Sequence, residues 1–338
     1  MGLNIAAELN VPVLVLVHKD DLAQQWHETL KTFWPEANAG HIQGDKWVFR
    51  TKHMVTAMAQ TLHARKDSPI LPEMHKHFGM VILDEGHRYS AATFEHILRA
   101  LPIRYRLGVS ATWRRKDGLE CLWDWHVGKV VHVMEGSRLT GEYVQIPWKT
   151  NLVDAMFKRG NTLLMAAMTT AISKNVPYNI WLATQIISAA NAGRRVLVCS
   201  DRVAHVLELS HRIRELGFTG SVGHYVAGIP DGVTEKGNPR SKKMSKSELE
   251  AAKTCDVVLA SYGMISEGTD VPELDTLFLA TPRSDVEQVV GRIQRPSGDK
   301  RPLLVVDPVF QLGVCHGMAA KRRETYSELG FTQQRKEE

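Results

Sequence analysis

Two short stretches of this sequence hold residue types at spacings that could carry chemistry. In "VILDEGHRYS", Val81 to Ser90, three apolar β-formers run straight into adjacent carboxylates, Asp84 and Glu85, followed by Gly86 and His87. A short apolar run followed by charged residues is how a buried parallel strand delivers functional groups to the carboxyl edge of a sheet, where ligands bind in open α/β folds. The plain alternative is a strand that ends in a solvated acidic turn, and His87 by itself reads as structural. In "VEQVVGRIQRP", Gln288, Arg292 and Arg295 recur at i, i+4 and i+7, which predicts one face of a helix. A guanidinium fork suits a multidentate phosphate better than an ammonium does, while the plain reading is a solvated basic face.

These groups need a scaffold that presents strand ends, and the sequence supplies the pattern for one. The runs "VPVLVLVHKDD", "GMVILDEGH", "YRLGVSAT", "RRVLVCSDR", "DVVLASYGM" and "LDTLFLATP" read as fully buried strands. Helical spacing fills several of the intervals, as in "DLAQQWHETLKTF", "DRVAHVLELSHRIREL" and "KSELEAAKT". Alternating strand and helix predicts an α/β fold with parallel sheets covered on both faces. A long helical stretch from Asn161 to Arg195 interrupts the alternation, and the domain boundary is expected just before it, near residues 135–150.

The 338 residues are enough for two domains, and 43% hydrophobic with 23% charged residues is a globular composition. No apolar run is long enough to span a bilayer, and no basic segment followed by an apolar stretch directs secretion, so a cytoplasmic location is expected. Cys121, Cys199, Cys255 and Cys315 are far apart with no metal-ligand spacing, and are expected to be buried, reduced thiols. A formal charge of +5 permits a polyanionic partner without requiring one. Between Asp231 and Ser247 lie Lys236, Arg240, Lys242, Lys243 and Lys246 among glycines, serines and a proline, which predicts an exposed basic loop, solvated or phosphate-binding. The C-terminal "KRRETYSELGFTQQRKEE" mixes both charges and is expected to fray.

Taken in order, "VLVHKDDLAQQW", "HMVTAMAQTL", "LDEGH", "GVSATWRRKDGLE", "ASYGMISEGTDVPELDTLFLATP" and "VEQVVGRIQRP" resemble the motif series of superfamily 2 helicases and translocases. The branch they look most like holds the xeroderma pigmentosum group B helicase and the phage UvsW-like DNA helicases. The resemblance implies two RecA-like domains, 1–140 and 141–318, with 319–338 a tail. It implies ATP and Mg²⁺ as cofactors, and DNA as partner, with RNA the other possibility. By the same resemblance Asp84 holds Mg²⁺ through water, Glu85 polarises the attacking water, and His87 completes a DExH box that relays nucleotide state. Arg292 and Arg295 become arginine fingers and Gln288 lies near the terminal phosphate. Ser110, Thr112, Gly268 and Asp270 couple hydrolysis to domain movement. Lys19, Thr56, Arg202 and Ser261 touch the sugar-phosphate backbone. Relatives often have proline after the Ser-Ala-Thr run, where this chain has Trp113.

The glycine-rich phosphate loop G-x-x-x-x-G-K-[ST] of such NTPases occurs nowhere in the sequence. "MGLNIAAELNVPVLVLV" resembles the helix that follows that loop, so the expectation is a first domain lacking its N-terminal strand and P-loop, with a separate upstream polypeptide as the candidate to carry that loop. Two readings stay open. One is an ATP-dependent helicase whose chain is catalytically incomplete alone; the other is a non-catalytic nucleic-acid-binding or regulatory protein on a helicase scaffold.

Overall fold

The computed structural model describes residues 1–65, 67–86, 91–110, 121–133, 139–159, 162–233, 239–266, 271–298 and 300–334. The chain divides into two compact units, Met1–Met134 and Glu135–Glu338. In the first, the order is α1 (Gly2–Glu8), β1 (Val13–Val17), α2 (Asp20–Phe33), β2 (Ala39–Gln43), β3 (Lys46–Val48), β4 (Met54–Met58), α3 (Ala59–Ala64), α4 (Leu71–His77), β5 (Met80–Asp84), α5 (Ala91–Ala100), β6 (Tyr105–Val109) and α6 (Cys121–His126). The second holds β7 (Gly141–Trp148), the short β8 (Lys158–Arg159) and β9 (Thr162–Leu163), α7 (Met165–Ser173), α8 (Val176–Asn191), β10 (Val196–Ser200), α9 (Val203–Glu215) and β11 (Val222–Tyr225). It continues with β12 (Gly228–Val233), β13 (Pro239–Lys243), α10 (Lys246–Lys253), β14 (Val257–Ser261), α11 (Tyr262–Ser266), β15 (Thr276–Leu279), α12 (Glu287–Ile293), β16 (Leu303–Phe310), α13 (Gly313–Glu328) and β17 (Phe331–Gln333).

The first unit is a six-stranded sheet in the order β3-β2-β4-β1-β5-β6, parallel except for the β2–β3 pair. All five residues of β1 are buried, as are the first four of β4 and of β5. Each such Val or Leu contributes roughly 1.5–3 kcal/mol by leaving water. The second unit is a seven-stranded parallel sheet in the order β11-β14-β10-β15-β16-β7-β17. Two apolar clusters flank it, one around Leu197, Val258 and Leu277, the other around Val198, Leu259 and Phe278. Alternate residues of β10, β14 and β15 therefore serve opposite faces, as helices on both sides of a sheet require. No described helix is long and apolar enough to cross a membrane.

Several expectations are corrected. The C-terminal segment does not fray through residue 334: α13 packs Ala319, Arg322 and Tyr326 inward, and β17 pairs with β7. Its charges hide an inward stripe whose polar member, Arg322, is satisfied. The basic segment after Asp231 forms, in its described part, an antiparallel β12–β13 hairpin rather than an open loop. Cys199 and Cys315 are buried, but Cys121 is exposed and Cys255 half-buried.

The internal ion pair that fixes α13 is the most demanding packing feature of the second unit. Asp307 and Arg322 are 0% and 2% exposed. The guanidinium donates from Nη2 to Asp307 Oδ1 at 2.7 Å and from Nε to Oδ2 at 2.9 Å. Gln145 Nε2 and the Tyr326 hydroxyl also donate to Oδ2, at 2.9 and 3.2 Å. Removing one partner leaves a buried, unsatisfied charge. Arg322→Met is therefore expected to lower unfolding free energy by about 3–5 kcal/mol, read from the urea midpoint.

Candidate functional site

The site in the first unit is assembled at the carboxyl ends of β5 and β6. Chain pairing sets Asp84 beside Val109, and the next amide, Glu85 N, donates to the Val109 carbonyl at 3.0 Å. Glu85 adopts φ 48°, a left-handed conformation that is costly for a side chain with a Cβ. That turn swings its carboxylate to within reach of Ser110, whose Oγ donates to Glu85 Oε2 at 3.3 Å. Asp84, Glu85 and Ser110 are thus brought together, each half-buried.

Asp84 has a partner that the motif reading missed. The Trp26 indole Nε1, from α2, donates to Asp84 Oδ2 at 2.8 Å. Leu22, Trp26 and Leu30 recur at helical spacing and pack on the sheet, and an indole turned inward needs an acceptor for its N–H. That need was the available signal. Burial raises the Asp84 pKa above the ordinary aspartate value, while the Trp26 bond and the Glu85 amide pull it down. Gly86 is required sterically, because a Cβ there would collide with the ring of buried Trp123.

Among the described residues, no three His, Cys, Asp or Glu side chains cluster as a ready-made metal site. The donor set at Asp84 and Glu85 still fits Mg²⁺, a hard cation that keeps several waters and takes only one or two carboxylates.

The remaining site residues are placed unevenly. Lys19 is exposed at the N-cap of α2. The neighbouring His18 carbonyl accepts from Gln60 Nε2 at 3.0 Å, which joins the loop after β1 to the start of α3. Thr56 is a correction: it is 0% exposed inside β4, with its hydroxyl 2.9 Å from His27 Nε2 and 2.8 Å from His41 Nδ1. A central strand position buried on both faces cannot reach a nucleic-acid backbone. In the second unit, Arg202 follows β10 and Ser261 ends β14, on strands paired so that Ser200 is level with Ser261. Arg202 Nη2 donates to the Ala166 carbonyl at 2.8 Å.

Gln288 and Arg292 share a face of α12, but Arg295 does not extend it, because the helix ends at Ile293 with Gln294 as its cap. Pro296 explains the stop, since the residue before a proline is pushed out of helical conformation. Gln294 is buried and donates to the carbonyls of Leu139 and Leu329 at 2.9 and 2.8 Å. Lys300 Nζ donates to the carbonyls of Arg295 and Pro272 at 2.9 and 2.7 Å, its pKa lowered to about 8 by burial. These contacts fix the turn that carries Arg295. His87, Thr112, Gly268 and Asp270, with Trp113, lie outside the described residues.

Two outcomes follow from this geometry. A raised Asp84 pKa means that the folded chain holds a proton the unfolded chain has released, so stability falls as pH rises through the window above the ordinary aspartate value of about 3.9. Asp84→Asn keeps an acceptor for Trp26 without that penalty. In metal-free denaturant titrations it should be more stable than wild type near neutral pH, with the difference shrinking as pH falls through the window. Gly86→Ala should cost about 1–3 kcal/mol by forcing Trp123 from its place, and Trp123→Leu in that background should recover part of the loss.

Comparison with known proteins agrees with the motif order and with the fold. A family profile described as "Type III restriction enzyme, res subunit" matches residues 1–115. The L396 protein of Acanthamoeba polyphaga mimivirus, an ATP-dependent RNA helicase by name, is 26% identical over 322 residues, 91% of this chain and 57% of that protein. The D10 protein of Escherichia phage T5, a helicase by name, is 23% identical over 334 residues, 98% of this chain and 69% of that one. This chain thus spans little more than half of the mimivirus relative. The DUF1998 helicase MrfA, solved bound to DNA and AMPPNP, is similar with a TM-score of 0.62 at 13% identity, over 96% of this chain and 45% of that one. Two α/β units, acids at the end of a buried strand, and relatives named as helicases together support the resemblance to the superfamily 2 helicases.

Proposed function

We propose that this chain is the paired motor core of an ATP-driven DNA helicase or translocase, and that it hydrolyses ATP only when a phosphate-binding loop is supplied by another segment. The observation that carries the reading is the Glu85 turn: a carboxylate in a left-handed conformation, tied to the Val109 carbonyl and Ser110, directly after a half-buried aspartate. A solvated acidic turn has no need of that arrangement.

ATP with Mg²⁺ supplies, when bound, the phosphoryl group and the charge that neutralises it. Asp84, oriented by Trp26, would hold the metal through its water shell. Glu85 accepts a hydrogen bond from the attacking water and draws off its proton. Ser110, bonded to Glu85, carries the state of that carboxylate into the loop after β6. Arg292 and Arg295, with Gln288, stabilise charge on the transferred group, their guanidiniums being suited to phosphate oxygens. His87, Thr112, Gly268 and Asp270 are assigned to relaying nucleotide state. Lys19, Arg202 and Ser261 contact the sugar-phosphate backbone, which suits a motor that must move along any sequence. RNA in place of DNA leaves this chemistry unchanged.

The second reading is a nucleic-acid-binding or regulatory protein on the same scaffold, without hydrolysis. DNA-stimulated ATPase assays separate the two. This chain alone is expected to be inactive. The chain joined to, or mixed with, a P-loop segment from its own gene neighbourhood should hydrolyse ATP, and Glu85→Gln should lower that rate by at least about 100-fold. DNA binding with no hydrolysis in either form would leave the binding protein.

A further inference from the structure

We propose that the β12–β13 hairpin is a phosphate-binding arm that extends the nucleic-acid surface of the second unit beyond the motif residues. The inference rests on the reading of this unit as nucleic-acid-binding and adds a site to it.

The hairpin's position is set by the sheet. β11 pairs in parallel with β14, with Tyr225 level with Ala260, so the chain leaves β11 next to Ser261. It therefore rises from the same carboxyl edge as Ser261 and Arg202, the expected backbone contacts. After Val226 and Ala227 it enters β12, and Met244 N closes the base by donating to the Ala227 carbonyl at 3.2 Å. Ile229 and Met244 pack against the core cluster of the unit. Directly beyond, Ser245 and Glu248 form a reciprocal capping box that starts α10. The arm is thus mounted at its base by apolar packing and hydrogen bonds, and a loop that served only solubility would need neither.

Its described residues carry Arg240, Lys242 and Lys243, all exposed. Side chains alternate along a strand, so Arg240 and Lys242 share one face of β13 and Lys243 takes the other. Asp231 lies 3.7 Å from Arg240, and Glu248 lies 4.0 Å from Lys242. Long ion pairs between exposed groups are worth about 0–1 kcal/mol, so these acids do not tie the cations down. An arm mounted at its base, with cations on both faces and beside the expected backbone contacts, fits a polyanionic strand that runs past the sheet edge. No base-reading side chain is required, which makes the contact sequence-independent.

The test is fluorescence anisotropy of the whole chain with a labelled single-stranded oligonucleotide, repeated across a salt series. Lys242→Glu with Lys243→Glu should weaken binding at least 10-fold at low salt. It should also make the slope of log K against log salt shallower by about 1–2, since each lost phosphate contact removes roughly 0.7–0.9. Lys242→Arg with Lys243→Arg should bind as wild type does. The control Arg214→Glu with Arg301→Glu makes the same charge change near the amino ends of β11 and β16, on exposed residues, and should have a much smaller effect. If the hairpin pair and the control lose affinity equally, or neither loses any, the arm is overturned while nucleic-acid binding stands. If the wild-type chain binds no oligonucleotide, the nucleic-acid reading of the unit fails, and the arm with it.

Discussion

Burial of the parallel strands on both faces is the constraint from which the rest of this structure follows. In β1 and β10 every residue is buried, and in β4, β5 and β14 all but the last. No side chain inside such a strand can serve water, nucleotide or nucleic acid without breaking the core. Groups free to meet a ligand are displaced to the strand ends, where the candidates Asp84, Arg202 and Ser261 stand. Thr56 illustrates the rule from the other side. It carries a hydroxyl in a fully buried strand, and two histidines satisfy it instead of a ligand.

Holding the strand ends in place requires polar work elsewhere. The Arg322 guanidinium bonds Asp307 with two nitrogens and, through Nη1, donates to the Arg283 carbonyl at 2.6 Å. It links β16 to the segment between β15 and α12. At the other end of α12, Gln294 and Lys300 secure the turn with four bonds to backbone carbonyls. Arg292 and Arg295 are thus carried by a segment fastened before and after.

The strongly apolar strands were legible in the sequence, because a buried parallel strand has to be nearly continuous in Val, Ile and Leu. β7 was not: "GEYVQIPW" holds a glutamate, a glutamine and a proline, and its residues are mostly half-buried. Only its place between β16 and β17 makes it a strand. α13 was hidden likewise, since the arginine it buries reads as a surface charge until Asp307, 15 residues earlier, is brought against it. In the candidate site, the acids and arginines were visible from residue type and spacing. Trp26 was not, because its bond to Asp84 spans 58 residues and depends on how α2 lies on the sheet. The helical extent of the arginine motif was overread, as Pro296 outweighs the i, i+4, i+7 pattern before it.

Glu85 is where folding and chemistry pull apart most clearly. Its left-handed backbone costs a residue with a Cβ roughly 1–2 kcal/mol, which glycine or asparagine in the same place would largely avoid. The surrounding structure compensates with the bond to the Val109 carbonyl, but that bond uses the backbone amide and is open to any residue except proline. That backbone bond therefore gives no reason for a carboxylate at this position. A reason appears only when the side chain is considered: the turn places its oxygens beside Ser110 and directly after Asp84, at the open end of the sheet. A left-handed backbone at a group able to orient water and accept a proton is the physical content of reading this turn as a hydrolytic site.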